Sequence, residues 1–490
     1  MESSTPFRGS SDVYEWIYTF VNIERGQNLS HRSFRLDRMK ILADLAGRPE
    51  TCAPAIHVAG SKGKGSVTGM ISAILGAAGK KCSLYASPHV TDFRERITLG
   101  GFFFDENIYS AAGNELRNIV NFIQKSKDPQ YDLFNNEKEE GEEPTYFELM
   151  TMWFFLCSRA AKVDVMAIET GMGGRLDATN IIDPLVSVIT LIELEHTEYL
   201  GNTIAAIAGE KAGIIKNNRP VIAAQQKDEA LEVFRRKAKE TASDFYYFPE
   251  WGEVRNVGLH RNGTTFDLTI RNPKNRENKI IYDEMKLHMY GKNQAENAGL
   301  AILAVKKVFQ EIDGEIAVKG LAGFSLPARF ERLPAEQDFI IDGAHTPTSV
   351  QTTVSAFTQL YGNGGILIFG CAAGKDVNAM AALVIPFFSR IIITTPGTFK
   401  KSFPQEVYEV FIKQTAETVK HGMTAHTSAV SSGTAAQPDA ESHVKTPEIL
   451  FLPDTAEAVN LAMKFARELK LPVLGTGSFY LSAEIKGMIR

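Results

Sequence analysis

Apolar positions along this chain follow two periods. Near-continuous apolar, β-rich runs at residues 81–87, 163–170, 186–192 and 220–224 are too short for helices and read as strands buried on both faces. Between them apolar residues recur at helical intervals, most plainly at Val67, Met70, Ile71, Ile74, Leu75 and Ala78, which lay one stripe against a sheet. Buried strands alternating with amphipathic helices predict a mostly parallel sheet covered on both faces, the doubly wound α/β architecture, with ligands gathering at the carboxyl ends of the strands.

From residue 255 to 289 the period changes to strict alternation, as in Thr265-Phe266-Asp267-Leu268-Thr269-Ile270, and predicts antiparallel hairpins added to that sheet. A helix over 294–309 and a turn-rich stretch over 320–334 follow. A second set of strands is then expected at 339–341, 365–370, 390–395, 449–452 and 472–474. This pattern predicts two α/β domains, residues 1–326 and residues 327–490, the second smaller and Rossmann-like. Two segments lack periodicity: the acidic run 135–143 reads as a solvated loop, and the Ser-, Thr-, Ala- and His-rich stretch 414–447 as a flexible insertion.

The first strand is the most informative, because Ile56-His57-Val58-Ala59 runs straight into Gly60-Ser61-Lys62-Gly63-Lys64-Gly65-Ser66 and then into the helical pattern. Glycines let such a loop turn several amide N–H groups toward one anion. The helix N-terminus adds partial positive charge and Lys64 a full one, so the junction points to phosphate. It departs from the usual G-x-x-x-x-G-K-[ST] spacing, with Val58 at the first glycine position and Gly65 between Lys64 and Ser66.

Other strand ends carry polar groups where an apolar run would otherwise continue. These are Ser87-Pro88-His89 with Arg94-Glu95-Arg96, then Glu169 with Gly171-Met172-Gly173-Gly174-Arg175, then Glu195-His196, with Lys211 closing the helix that follows. A carboxylate at the end of a buried strand has few structural uses.

Composition narrows the class. A formal net charge of -5 gives no global attraction to nucleic acid or an anionic membrane. Cys52, Cys82, Cys157 and Cys371 form no C-x-x-C pair, so reduced thiols are expected and a zinc site or disulfide framework is not. A polar N-terminal stretch without a secretory pattern, and no apolar run of bilayer length, predict a cytoplasmic protein.

The ordered set of blocks 57–66, 87–97, 169–180, 196–216, 291–297, 327–331, 342–345 and 475–478 resembles the folylpolyglutamate synthase and dihydrofolate synthase family of the Mur ligase superfamily. That resemblance implies an ATPase domain, a C-terminal glutamate-ligase domain and an active site in the cleft between them, with a hinge near Leu326. It implies ATP, Mg²⁺, L-glutamate and a folate or dihydropteroate as the small molecules, with room for a monovalent cation. No nucleic-acid or membrane partner is implied, and the protein is expected to act as a monomer in folate and one-carbon metabolism.

Residue by residue, the resemblance places Gly60, Ser61, Lys62, Gly63, Lys64, Gly65, Ser66, Gln294, Asn297, Arg329, Asp342 and His345 around nucleotide or incoming glutamate. It assigns Ser66, Ser87, Glu169 and His196 to metal and makes Lys64, Glu169, His196 and Lys211 the catalytic set, Lys211 matching a lysine that is carbamylated in some relatives. The chain departs from the family pattern at Lys62 (usually Asn), Glu195 (Asp), Asn293 (His), Leu326 (Trp) and Thr346 (Asn in many bacterial members). Two other readings fit a phosphate loop: a Mur-type ligase acting on a UDP-sugar peptide, and a nucleotide-binding module without catalysis.

Overall fold

In the computed structural model the described residues are 5–22, 35–134, 143–397, 401–430 and 446–489. The chain divides into two compact units, Met1–Gly258 with Gly263–Phe324, and Leu259–Asn262 with Ser325–Arg490.

The first unit is built on β1 (Ala55–Ala59), β2 (Cys82–Tyr85), β3 (Ile97–Leu99), β4 (Phe102–Phe103), β5 (Val165–Glu169), β6 (Val186–Ile189), β7 (Val221–Ala223) and β8 (Phe245–Tyr247). They form one sheet in the order β4-β3-β2-β5-β1-β6-β7-β8. The run from β2 to β8 is parallel, and only β3 and β4 pair antiparallel at one edge. The expected strands are therefore present, and β1 sits centrally between β5 and β6 with all five of its residues buried.

Successive residues of a strand face opposite ways. Met166 and Ile168 of β5 accordingly join an aromatic-rich core with Trp153, Phe154, Phe155, Tyr109 and Tyr146, contributed by the helices Tyr146–Ala161 and Glu106–Lys125. The helix Lys64–Ala77 packs against β5 and against the helices Lys292–Val308 and Gly314–Ala322.

The alternating segment forms β9 (Gly252–His260), β10 (Gly263–Asn272) and β11 (Asn275–Leu287), which make a three-stranded sheet of their own and do not extend the large one. The physical reason is the one-sided burial of β10. Phe266, Leu268 and Ile270 are buried, and Leu268 reaches Gly299 on the helix Lys292–Val308, so the sheet is held by its face on a helix and needs no edge partner.

The second unit holds β12 (Glu331–Leu333), β13 (Phe339–Ile341), β14 (Gly365–Phe369), β15 (Phe388–Ile393), β16 (Glu448–Phe451) and β17 (Val473–Thr476). Their order is β12-β13-β17-β14-β15-β16, parallel except for β12 at the edge. Residues 414–430, expected in a flexible insertion, continue the helix Pro404–Val430. Residues 431–445 of that segment and residues 135–142 of the acidic run lie outside the described residues. Among the described residues no helix is long and apolar enough to cross a membrane.

Candidate active site

The loop after β1 takes a shape that only glycine permits at two points. Gly60 has φ +153 and a Cβ there would overlap Thr190 Oγ1, while Gly63 has φ +86 and a Cβ would sit 2.9 Å from Asn297 Oδ1. Ser61 N and Lys62 N donate to Leu191 O at 2.9 and 3.1 Å, and Ser61 Oγ donates to Glu193 O at 3.0 Å. Those two amides are thus engaged by the segment leaving β6. The amides expected to meet an anion are those of Lys64, Gly65 and Ser66, in the first turn of the helix, where no carbonyl lies one turn back to accept them.

Two ammonium groups converge on the same carbonyl. Lys64 Nζ donates to Gly60 O at 2.9 Å and Lys211 Nζ at 2.7 Å, and Lys211 Nζ also meets Glu195 Oε1 at 3.0 Å. The Lys211 side chain is 1% exposed, and burial pushes its ammonium down to about 8, with the Lys64 charge acting the same way and Glu195 opposing it. Burial pushes the Glu195 carboxyl up, but Lys64, Lys211 and His196 together hold it below the ordinary range, so it stays a carboxylate. Substituting Glu for Asp before His196 therefore keeps a counter-ion in reach of Lys211.

Glu169 ends β5 almost fully buried. Its Oε2 accepts from Ser87 N at 3.2 Å and lies 3.4 Å from where a Cβ on Gly65 would stand, one residue before Ser66. A carboxylate combined with serine hydroxyls would be a hard-oxygen donor set, which suits Mg²⁺ better than a thiophilic metal. Among the described residues no group of three or more His, Cys, Asp or Glu could hold a metal ion, so a cation here would rely on hydroxyl and water oxygens. His196, in a left-handed conformation at φ +46, leads into the short helix Thr197–Leu200 beside Glu195.

The loop after Glu169 is fixed from below. Asp177 accepts from Met172 N and Thr179 N at 2.9 and 3.1 Å and from the Thr179 hydroxyl. Because that hydroxyl gives its proton to Asp177, the His57 Nε2 at 2.8 Å donates to it. Burial, with Lys216 nearby, pushes His57 down to about 3 and keeps the ring neutral. His57 thus ties the central strand to the turn that carries Glu169. Gln294 and Asn297 stand one helical turn apart, linked by an Asn297 Nδ2 to Gln294 Oε1 bond of 3.1 Å, with Asn297 against Gly63.

In the second unit, Arg329 lies between Ala328 at φ +52 and Phe330 at φ +50, both left-handed conformations that need support. Asp342 provides it: its oxygens accept from Phe330 N at 2.8 Å, Ala344 N at 2.9 Å and Thr353 Oγ1 at 2.8 Å. Removal from water pushes the Asp342 carboxyl up, against the pull of Arg329. The Arg329 guanidinium lies 4.4 Å from the Phe479 ring centroid, and the His345 ring packs on that same phenyl at 5.7 Å, with Nδ1 2.9 Å from Gly343 O. Asp342 was expected near a ribose, and the contacts give it the further work of bracing the Arg329 turn.

Sequence reasoning missed how Ser61 and Lys62 are held, the Asp177–Thr179–His57 relay and the side chain of Gln226. Gln226 Nε2 donates to Thr190 O at 2.9 Å, and its Oε1 accepts from Ile192 N at 3.1 Å. The only signal for it was a polar residue next to an apolar strand.

Two Mur ligase families match the chain, the Mur ligase middle domain over residues 117–305 and the Mur ligase glutamate ligase domain over 328–478. The chain is 34% identical over 351 residues to a dihydrofolate synthase/folylpolyglutamate synthase of Bacillus subtilis, covering 70% of this chain and 77% of that one. A folylpolyglutamate synthase structure from Thermotoga maritima superposes with TM-score 0.76 at 25% identity, covering 98% of this chain and 96% of that one. An FPGS–AMPPCP–folate complex does so with TM-score 0.73 at 26% identity, covering 98% and 100%. The two matched domains and the fold are those of a Mur ligase. The chain belongs to the folylpolyglutamate synthase/dihydrofolate synthase family.

Proposed function

We propose that this chain is an ATP-dependent ligase that joins L-glutamate to a folate, and to dihydropteroate as well, through an acyl phosphate. The observation that carries this reading is the meeting of Lys64 and Lys211 on Gly60 O beside the helix N-terminus, in a chain of this family. Two cations and a set of first-turn amides suit a triphosphate, whose negative charge grows on the oxygens that leave during phosphoryl transfer.

In this reading the substrate carboxylate attacks the γ-phosphorus and ADP leaves. The glutamate amine then attacks the acyl carbon and phosphate leaves with the bonding pair, while the amine proton passes to a base. Lys64 and the amides of Lys64, Gly65 and Ser66 hold the phosphates. Ser66, Ser87, Glu169 and His196 are the residues that would hold Mg²⁺, which when bound neutralises the triphosphate and polarises its γ-phosphoryl group. Gln294 and Asn297 contact the nucleotide, Arg329 a phosphate, Asp342 the ribose end, and His345 the incoming glutamate. Glu195 keeps the Lys211 ammonium in place; carbamylation would turn that lysine into a carboxylate beside Glu195, and the reading leaves room for a monovalent cation. In this reading the protein works as a monomer in the cytoplasm.

The test is a product assay. Purified protein with ATP, Mg²⁺ and L-glutamate should lengthen tetrahydrofolate by glutamyl residues and convert dihydropteroate to dihydrofolate, both read by mass spectrometry. Phosphate release with a UDP-sugar peptide but with neither pteridine would move the assignment to a peptidoglycan-type ligase. ATP binding without turnover on any acceptor would leave a binding module.

A further inference from the structure

Gln226 lies just past β7, buried, and no part of the reaction scheme uses it. Its amide bonds in both directions to the backbone leaving β6, donating to Thr190 O at 2.9 Å and accepting from Ile192 N at 3.1 Å. In extended backbone, alternate residues present their polar groups to opposite sides. Thr190 and Ile192 turn to Gln226, so Leu191 between them turns the other way.

Leu191 O is the acceptor for Ser61 N and Lys62 N, at 2.9 and 3.1 Å, and Glu193 O takes the Ser61 hydroxyl at 3.0 Å. The same segment supplies the Thr190 side chain that excludes any Cβ at Gly60, and two residues further on Glu195, the counter-ion of Lys211. Thr190 N donates to Ala59 O at 2.8 Å where the strip leaves the sheet, and beyond that point the buried Gln226 amide is the side chain that braces the strip on which the glycine loop rests.

We propose that Gln226 is a positioning residue for triphosphate binding, acting through residues 190–193 on Ser61 and Lys62. The proposal rests on the reading that the Gly60–Ser66 loop holds the triphosphate. Without the clamp both buried backbone groups, Thr190 O and Ile192 N, lose their partner, the strip can shift, and the loop loses the geometry that aims its first-turn amides.

The experiment measures Mg·ATP affinity of the full chain by titration calorimetry for wild type, Gln226→Met, Ser61→Ala, the double variant and Tyr247→Phe. Gln226→Met should weaken ATP by about tenfold, the size expected for the loss of a buried hydrogen-bonded clamp. The double variant should bind within about twofold of Gln226→Met alone, because Ser61 draws its advantage from the strip that Gln226 fixes. Tyr247→Phe removes only a hydroxyl that accepts from Gln226 N at 3.4 Å, leaves the clamp intact, and should stay within about twofold of wild type.

In steady state, Gln226→Met should raise KM for ATP more than it lowers kcat, whereas a loss of folded enzyme would lower kcat alone. Multiplicative losses in the double variant, or an equal loss in Tyr247→Phe, would overturn the proposal. If Gln226→Met does not fold, Gln226→Glu keeps an oxygen facing Ile192 N, removes donation to Thr190 O, and carries the same comparison. Wild-type protein that binds no ATP would defeat the phosphate-loop reading itself, and the role of Gln226 with it.

Discussion

Lys211→Met should flatten the pH dependence of the first unit's stability above neutrality. In the folded chain the ammonium is buried and pushed from 10.5 down to about 8. That fall corresponds to about 3 kcal/mol favouring the neutral amine. In the unfolded chain the same lysine keeps its proton until about pH 10.4. Between these limits the unfolded chain binds more protons, so stability rises with pH, and below the folded value the whole cost of the buried charge is present.

From about pH 7.5 to about pH 9 the folded state should gain about 1 kcal/mol from this residue. Glu195, held below the ordinary carboxyl range, is ionised throughout and adds no slope there. The buried thiols of Cys82 and Cys157 are pushed up, which lowers stability at high pH, but wild type and variant share that effect.

The assay is guanidinium unfolding followed by tryptophan fluorescence, because Trp16, Trp153 and Trp251 all lie in the first unit. The wild-type free energy should rise by about 1 kcal/mol more than that of Lys211→Met across the interval. Equal slopes would mean that Lys211 titrates as it does in water, and the reasoning about its burial and its two partners would be wrong.

The remaining expectations are kinetic and structural. Lys64→Ala and Glu169→Ala should each cut turnover by about two orders of magnitude or more with an unchanged circular dichroism spectrum, and near-normal rates would misplace the phosphate site. Gly63→Ala, which meets Asn297 Oδ1 at 2.9 Å from a backbone at φ +86, should cost about 1–3 kcal/mol of stability and weaken ATP, whereas Gly76→Ala in the same helix region has open space and should bind ATP normally. Asp342→Ala removes the acceptor of three hydrogen bonds around Arg329 and should cost about 2–4 kcal/mol in the second unit, read by proteolysis of the intact chain.

The strands and the glycine loop were legible because each is a local pattern. An apolar run of strand length names a buried strand, and a run that ends in a carboxylate names a site. What such patterns leave open is which element pairs with which. The alternation over β10 predicted hairpins but could not say that their apolar face would settle on the helix Lys292–Val308, because face packing and edge pairing ask for the same residues.

Likewise Glu195 was visible as a polar residue at a strand end and Lys211 as the close of the following helix, yet their ion pair depends on how the chain folds between them. Gln226 and Asp177 act on backbone groups of distant segments, and a contact to backbone leaves no trace in the partner's identity. Short β3 and β4, and the helical course of 414–430, were missed because two or three residues, or a segment rich in Ser, Thr and Ala, show no period.

The most direct test follows the oxygen atoms. Tetrahydrofolate carrying heavy oxygen in its terminal carboxylate, incubated with ATP, Mg²⁺ and glutamate, should pass one labelled oxygen to the released phosphate, and Lys64→Ala should abolish both label transfer and product. Phosphate released without label while glutamate is still joined to folate would contradict an acyl phosphate formed at this loop.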